Sequence, residues 1–445
     1  MTSRIGIVGG GALGMTLALR LREQGHDVVV LEGARTAGGL AASQQIAGYT
    51  WDRFYHVILQ SDRDLLALLS ELGVSEPHWG VTRTGFYTDG VLYSLSTSLE
   101  FLAFPPISLV DKMRLAGTIL YASRVKNWRP LEQILVSDWL RKLSGKRTFE
   151  RIWLPLLKSK LGENYRIASA AFIWAIIARM YAARRSGLKR EQFGYVEGGY
   201  ATVLARFEKH LETQGIELRT GAPVTAVRDS GTDSEVTFAD GTSARFDRVI
   251  LTLPANRIPA LVPQLSHAEI ERLGRVVYQG VLCASLLTRK PLASYYVTNI
   301  TDGWVPFTGV IEMTTLVDPK QFGGNSLVYL PRYLAQDDPF WKASDDEVRE
   351  TFLSALERMY PAFTRADVIE FRVARARDVL AISTLDYSES TLPSMRTSLP
   401  NTFIVNSAQI ASGTLNLNET VGLANRQAAA LAPFLAARES VAAHV

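Results

Sequence analysis

The feature that most constrains this chain lies in its first 32 residues. Residues 4–32 read RIGIVGGGALGMTLALRLREQGHDVVVLE. Ile5, Ile7 and Val8 predict a short strand, and Gly9, Gly11 and Gly14 follow it as G-x-G-x-x-G. Leu13, Leu17 and Leu21 then recur every four residues, which marks one face of a helix. Gly25 ends that helix, residues 28–31 read as a buried second strand, and Glu32 closes it. A glycine triplet framed in this way by strand, helix, strand and acid is the cradle of a dinucleotide. Gly9 permits the tight turn, Gly11 lets backbone approach a pyrophosphate, and Gly14 lets helix and strand pack closely. The first turn of the helix, at Ala12 and Leu13, presents free N–H groups and a positive dipole end to the phosphates. Glu32, 18 residues past Gly14, stands where an acid accepts a ribose 2′-hydroxyl.

Composition narrows what surrounds the cradle. At 445 residues, 47% hydrophobic and 21% charged, the chain has ordinary globular composition and length for two or three domains. Cys283 is its sole cysteine, which excludes an intrachain disulfide and a cysteine-based metal site. The N-terminus enters a strand at once, so no signal peptide is expected, and no run of about 18 uncharged apolar residues predicts a spanning helix. There is no His-x-x-x-His, Gly-x-Ser-x-Gly or P-loop, so zinc hydrolase, serine hydrolase and P-loop kinase readings have no support.

Six residues after Glu32 comes the pair Gly38-Gly39. With the first cradle, this pair resembles the extended dinucleotide signature of the FAD-dependent amine-oxidase-like flavoproteins, a group that includes protoporphyrinogen oxidases, phytoene desaturases and UDP-galactopyranose mutases. Leu40 stands where many members have Arg. Two later segments carry the same resemblance: residues 194–228, with a Gly-Gly helix and a returning strand, and residues 401–435, with a strand at 403–405 and a helix beginning near Thr420. The resemblance implies an FAD site built from Gly9, Gly11, Ala12, Leu13, Gly14, Glu32, Gly33, Gly38, Gly39 and Leu40. It also implies His56 and Val57 beside the ring and backbone near Val224 at the adenine. Asn406 and Ser407, which replace the family's usual acid, would bond the ribityl chain. Thr420 and Val421 would lie at a helix start facing the pyrimidine end of the ring. No second G-x-G-x-x-G occurs, so no separate nicotinamide domain is expected.

The implied fold is α/β plus α+β: a Rossmann-type FAD-binding domain interleaved with a mixed-sheet substrate domain that carries a helical insert. The FAD-binding domain would use 1–80, 190–255 and 395–440, and the substrate domain 81–189 and 256–394. Hairpin turns are expected at Asp89-Gly90 and Asp240-Gly241. Strands are expected over 276–288, 295–300, 308–316 and 326–334, and a helix opening at Ser344 with Glu347 as its capping box. The insert, 141–190, holds thirteen Lys or Arg against two Glu, together with the apolar run AAFIWAIIARMYAARR. Three readings of it stand side by side: a solvated helical lid, an attractor for an anionic substrate, and a basic amphipathic helix on anionic membrane. The expected location is accordingly cytoplasmic, with peripheral membrane contact as a second reading. No nucleic-acid motif accompanies the basic block.

The stretch YTWDRFYHVIL, 49–59, follows the second glycine pair. By resemblance it passes the isoalloxazine, which makes His56 the leading flavin-face candidate, with Arg53 and Tyr55 beside it. An imidazole suits proton transfer near neutral pH. Glu312 interrupts an apolar strand and would need a partner or a purpose. Tyr296, Tyr329, Arg332 and Tyr333 are candidates to line the same pocket. The expected function is an FAD-dependent oxidoreductase that passes a hydride from a hydrophobic or anionic small molecule to the flavin. A redox-neutral mutase acting on a nucleotide sugar and a non-catalytic FAD-binding scaffold are the alternatives.

Overall fold

The structure, a computed structural model, describes residues 2–184, 192–411 and 413–435. The insert's Arg185, Lys189 and Arg190, and the segment 436–440, lie outside the described residues.

Five parallel strands form the first sheet, in the order Glu217–Arg219, Asp27–Leu31, Arg4–Val8, Arg248–Leu251, Thr402–Ile404. The near-continuous apolar runs of Asp27–Leu31, Arg4–Val8 and Arg248–Leu251 follow from burial on both faces. On one face Ile5, Ile7, Val28 and Val30 pack under the helices Ala12–Glu23, Gly199–Thr213 and Leu417–Leu435. On the other, Val29, Leu31, Val249 and Leu251 pack against an antiparallel meander of Val224–Asp229, Ser234–Phe238 and Ser243–Phe246. From Arg4–Val8 the chain builds to both sides, so a topological switch point lies at the C-terminal end of that strand, beside the glycine turn.

The second sheet has seven strands in the order Val368–Ala381, Tyr278–Thr288, Ser326–Leu334, Gly309–Glu312, Val297–Ile300, Thr84–Thr88, Val91–Ser94. It is mixed: Val297–Ile300 runs parallel to Thr84–Thr88 and the other pairs are antiparallel. Tyr278–Thr288 is buried along its whole length because both faces are covered. The helix Asp345–Met359 covers one face, and residues 46–59 with Phe193 cover the other. Both expected turns form, with Asp89 and Gly90 at φ 52° and 76°, and Ser344 and Glu347 make the expected capping box. The strand expected over 308–316 stops at Glu312 and passes into a 3-10 turn at Met313–Thr315.

A helical layer follows the Thr84–Ser94 hairpin: Ser98–Ala103, Leu109–Ala122, Val136–Ser144, Leu154–Leu161 and Ala170–Arg184. One expectation is corrected here. The apolar run that opens Ala170–Arg184 is not an amphipathic surface helix: residues 170–175 and 177 are buried among Trp139, Leu140 and Phe149, and form the core of the layer.

Candidate functional site

Two glycine turns meet back to back. Gly9 sits at φ +117°, where a Cβ would lie 2.3 Å from Thr252 Oγ1, and a Cβ on Gly14 would lie 2.0 Å from the Gly9 carbonyl oxygen. Gly11 precedes the helix Ala12–Glu23 without a side-chain cap, and the first turn contains no acid. The amides of Ala12, Leu13 and Gly14 therefore have no intrahelical acceptor, and the dipole end is not neutralised by the chain itself. Gly38 donates its N–H to the Gly10 carbonyl at 2.8 Å, and Gly11 and Gly38 form an isolated bridge. A Cβ on Gly39 would stand 3.3 Å from Gly11 Cα. The result is a floor of backbone with no side chain in the way. Leu40 turns from this floor and packs against the apolar cluster of Trp51 and Phe54.

Glu32 closes the cradle at one end. Its Oε2 accepts the Gly10 amide at 2.7 Å and its Oε1 the Ala34 amide at 2.8 Å, which fixes the carboxylate while leaving lone pairs for ribose hydroxyls. Gly33 approaches Pro223, where a Cβ would be 3.3 Å from Pro223 Cα, and this brings the start of Val224–Asp229 beside Glu32. A side-chain-free floor, uncapped helix amides and an anchored acid fit a dinucleotide.

The segment 49–59 stands between the two sheets. Asp52 is buried; its Oδ1 accepts the Tyr200 amide at 2.7 Å and so caps the helix Gly199–Thr213, whose Gly198 offers no side chain for the task. The Asp52 carbonyl accepts the Tyr329 hydroxyl at 2.6 Å. One residue thus ties the Gly-Gly helix to the seven-stranded sheet. His56 Nδ1 lies 3.4 Å from Asp52 Oδ2 without hydrogen-bond geometry, and its ring meets Tyr200 edge-on at 4.8 Å. One helical turn on, Leu204 touches Gly38, so a single helix borders both His56 and the cradle. His56 and Val57 line a small cavity with Trp51, Gly194 and Met313. Arg53 is half-buried and has no ion-pair partner among the described residues.

A polar group faces this segment from the larger sheet. The hydroxyls of Tyr55 and Tyr333 are 3.0 Å apart. Burial, reinforced by Tyr333, pushes the Tyr55 phenol well above its ordinary value, so it acts as a neutral hydrogen-bonding group. Lys160 Nζ sits 4.9 Å from the centre of the Tyr333 ring. Val281 pairs with Tyr333, and two residues back on the same strand Gln279 accepts the Asn164 amide at 2.9 Å, while its own buried Nε2 has no partner. Lys160, Asn164 and Gln279 were not singled out by sequence reasoning. A Gln inside the apolar run 276–288 was the available signal for the last.

Two other candidates, Glu312 and Arg332, are separated from this group. Glu312 is buried, but Ile311 packs with Tyr329 while Val310 packs with Phe307 on the opposite face, so strand alternation turns Glu312 away from Tyr55 and Tyr333. Its carboxylate accepts the Leu292 and Ala293 amides at 3.0 and 2.9 Å. Burial nonetheless pushes its pKa up to about 7. Glu312 is a structural latch, and the catalytic expectation for it is withdrawn. Tyr296 stays in the cluster that holds Tyr55 and Tyr333, its ring tilted against Phe193, whereas Arg332 lies over Phe340 with its pKa lowered by burial.

The C-terminal segment also differs from expectation. Asn406 is fully buried and its side chain bonds the Leu253 carbonyl and the Ala408 amide, which holds the turn in place. Ser407 lines a cleft with Phe172, Leu380 and Ile410. The last helix begins at Leu417, three residues before Thr420, because Asn416 Oδ1 accepts the Glu419 amide as an N-cap. The amide of Thr420 bonds Asn416, and Val421 is buried, so the free amides at this helix start belong to residues 417 and 418. Asn416 followed three residues later by Glu419 is a capping signature that marked this start in the sequence.

Comparison with known proteins agrees with this geometry. The family model described as flavin containing amine oxidoreductase matches residues 14–409. The chain is 21% identical to a zeta-carotene desaturase of Synechocystis sp., over 96% of each chain. It is 36% identical to a Mycobacterium tuberculosis protein assigned as a flavin-containing monoamine oxidase, over 59% of this chain and 61% of that one. The solved structure of putrescine oxidase bound to putrescine superposes with a TM-score of 0.74 at 16% identity, covering 97% of this chain and 99% of that chain.

Proposed function

We propose, from the premise that this chain belongs to the flavin-containing amine oxidoreductase family and works as an FAD-dependent oxidoreductase, that it oxidises a hydrophobic or anionic small molecule held against the Tyr55–Tyr333 pair. Bound FAD supplies the acceptor for a hydride from that molecule. The chain's own residues hold, orient and exclude water. Gly9–Gly14 and Gly38–Gly39 hold the pyrophosphate, Glu32 the ribose. Tyr55 and Tyr333 position the substrate as neutral hydrogen-bonding groups. His56, restrained by Asp52 and Tyr200, is the group placed to take or return a proton. In this reading residues 1–80, 190–255 and 395–440 bind the cofactor, and 81–189 and 256–394 the substrate.

The observation that carries the substrate class is the charge beside the tyrosine pair. Lys160 lies over Tyr333 and has no carboxylate partner among the described residues, whereas Glu312 faces away. The Lys160 charge would repel a cationic amine and attract an anion, and it would not repel a neutral hydrocarbon. The same feature supports the second reading, a redox-neutral mutase, since Lys160 and Arg53 could pair with the diphosphate of a nucleotide sugar. Anaerobic bleaching of the flavin band separates the two. Isoprenoid or carboxylated substrates bleach it under the first reading. Under the second, a nucleotide sugar leaves it unbleached and is isomerised only after dithionite reduction. Bleaching by simple amines alone would overturn both.

A further inference from the structure

The helix Leu109–Ala122 buries several polar side chains and exposes a row of apolar ones. Its inward stripe carries Asp111, Lys112 and Thr118 beside Leu115 and Ala122, each buried, and its outward stripe carries Leu109, Val110, Met113, Leu120 and Tyr121. The inward polar groups are satisfied: Asp111 accepts from Ser108 and Thr148, Lys112 Nζ donates to the Leu102 carbonyl at 2.6 Å, and Thr118 bonds Arg114 and Ser144. The preceding helix, Ser98–Ala103, has no buried residue and adds Leu99 and Leu102 to the same exposed region. The six most exposed large apolar side chains among the described residues all fall between 99 and 121, led by Leu99 at 78%, Met113 at 68% and Leu109 at 62%. Scattered apolar residues on a surface need no explanation, but a contiguous face of this kind marks an interaction site.

Charge selects the occupant. Arg114, Arg124 and Lys126, on this helix or just after it, are exposed and have no ion-pair partner among the described residues, while Lys146 and Arg147 are paired with Glu150 and Asp111. Of the acids in these segments, Glu100 is held in a capping box, Asp111 lies beneath the helix beside Arg147, and Glu150 stands 4.0 Å from Lys146, which leaves Arg114, Arg124 and Lys126 as the unpaired charges. A second copy of this chain would bring one cationic fringe against another, which repels. An anionic bilayer complements the fringe and takes up the apolar side chains. The face also borders a cavity of about 900 Å³, walled on one side by Phe101, Leu115, Ile119 and Leu120.

We infer that the two-helix face of Ser98–Ala103 and Leu109–Ala122 docks the protein on an anionic lipid surface, with Leu99, Leu102, Leu109, Val110 and Met113 seated among the acyl chains. This places membrane contact on these helices and not on Ala170–Arg184, and it does not depend on which substrate is oxidised.

Flotation of the flavin-loaded protein with vesicles tests it. The wild type should float with vesicles of phosphatidylcholine and phosphatidylglycerol, and at least about tenfold less with phosphatidylcholine alone. The double variant L99S/M113S should lose flotation by at least about tenfold while its flavin content and absorption spectrum stay unchanged. The variant L109S/V110S provides the same readout from the other end of the face. Failure of the wild type to float on either vesicle, or equal flotation by both variants, would overturn the inference. So would a wild-type dimer that the substitutions convert to monomer, since that would identify a second copy as the occupant.

Discussion

Oδ2 of Asp52 lies 3.4 Å from Nδ1 of His56, while the other oxygen of the same carboxylate accepts the Tyr200 amide at 2.7 Å. One buried acid therefore holds a helix start and stands against His56. The two roles separate by substitution. Replacing Asp52 with Ala leaves the Tyr200 amide buried and unpaired, which will cost about 1–3 kcal/mol and lower the melting temperature. Asp52→Asn keeps an acceptor and will recover most of that loss. His56→Ala touches no cap, so it will retain flavin and stability while turnover falls by about 10²-fold or more, the range for a general acid or base.

The cradle predicts a sharper loss. A methyl group on Gly14 would occupy the space of the Gly9 carbonyl oxygen. Gly14→Ala will therefore yield colourless protein, and this is checked by flavin content after reconstitution. Glu32→Ala removes the anchor of the Gly10 and Ala34 amides and will weaken FAD binding by about tenfold or more without abolishing the fold, read by flavin fluorescence titration.

Glu312 gives the protein a pH signature. Burial raises its folded-state pKa from 4.5 to about 7, so the folded form holds its proton more tightly than the unfolded form does. The stability this contributes is complete below pH 4.5 and is lost as pH rises through about 7. The melting temperature of the wild type will fall across that window relative to Glu312→Gln, which has no proton to lose there. The difference corresponds to a ΔΔG on the order of 1–3 kcal/mol.

Lys160 tests the substrate class from the protein side. If the substrate is anionic, Lys160→Gln will raise KM by about tenfold or more with little change in kcat, because the lost contact acts on binding and not on the transition state alone. If the substrate is a neutral hydrocarbon, both constants will stay close to wild type.

The parts of the molecule that were legible in the sequence are local ones. The strand, glycine turn, helix and acid of residues 4–32 form a contiguous unit, and each residue type has a backbone reason to be there. The hairpin turns at Asp89-Gly90 and Asp240-Gly241 are legible for the same reason. What was not legible depends on contacts distant in sequence. The facing of Glu312 follows from strand register between Gly309–Glu312 and Ser326–Leu334, which no local pattern reveals. Lys160 was hidden among thirteen cations of one block, and only the approach of its helix to Tyr333 sets it apart. The helix Leu109–Ala122 buries Asp111, Lys112 and Thr118 beside Leu115 and Ala122 and exposes Leu109, Val110 and Met113, a placement its sequence pattern does not reveal because the buried polar groups find partners on other segments.

The most direct test of the proposed reaction is anaerobic mixing of the flavin-loaded protein with candidate isoprenoid, fatty and carboxylated substrates while the flavin absorption band is followed. The account predicts rapid bleaching by at least one of them, slowed by about 10²-fold or more in His56→Ala at unchanged flavin content. Bleaching at the wild-type rate in His56→Ala, or no bleaching by any of these while a nucleotide sugar is isomerised by the dithionite-reduced protein, would contradict it.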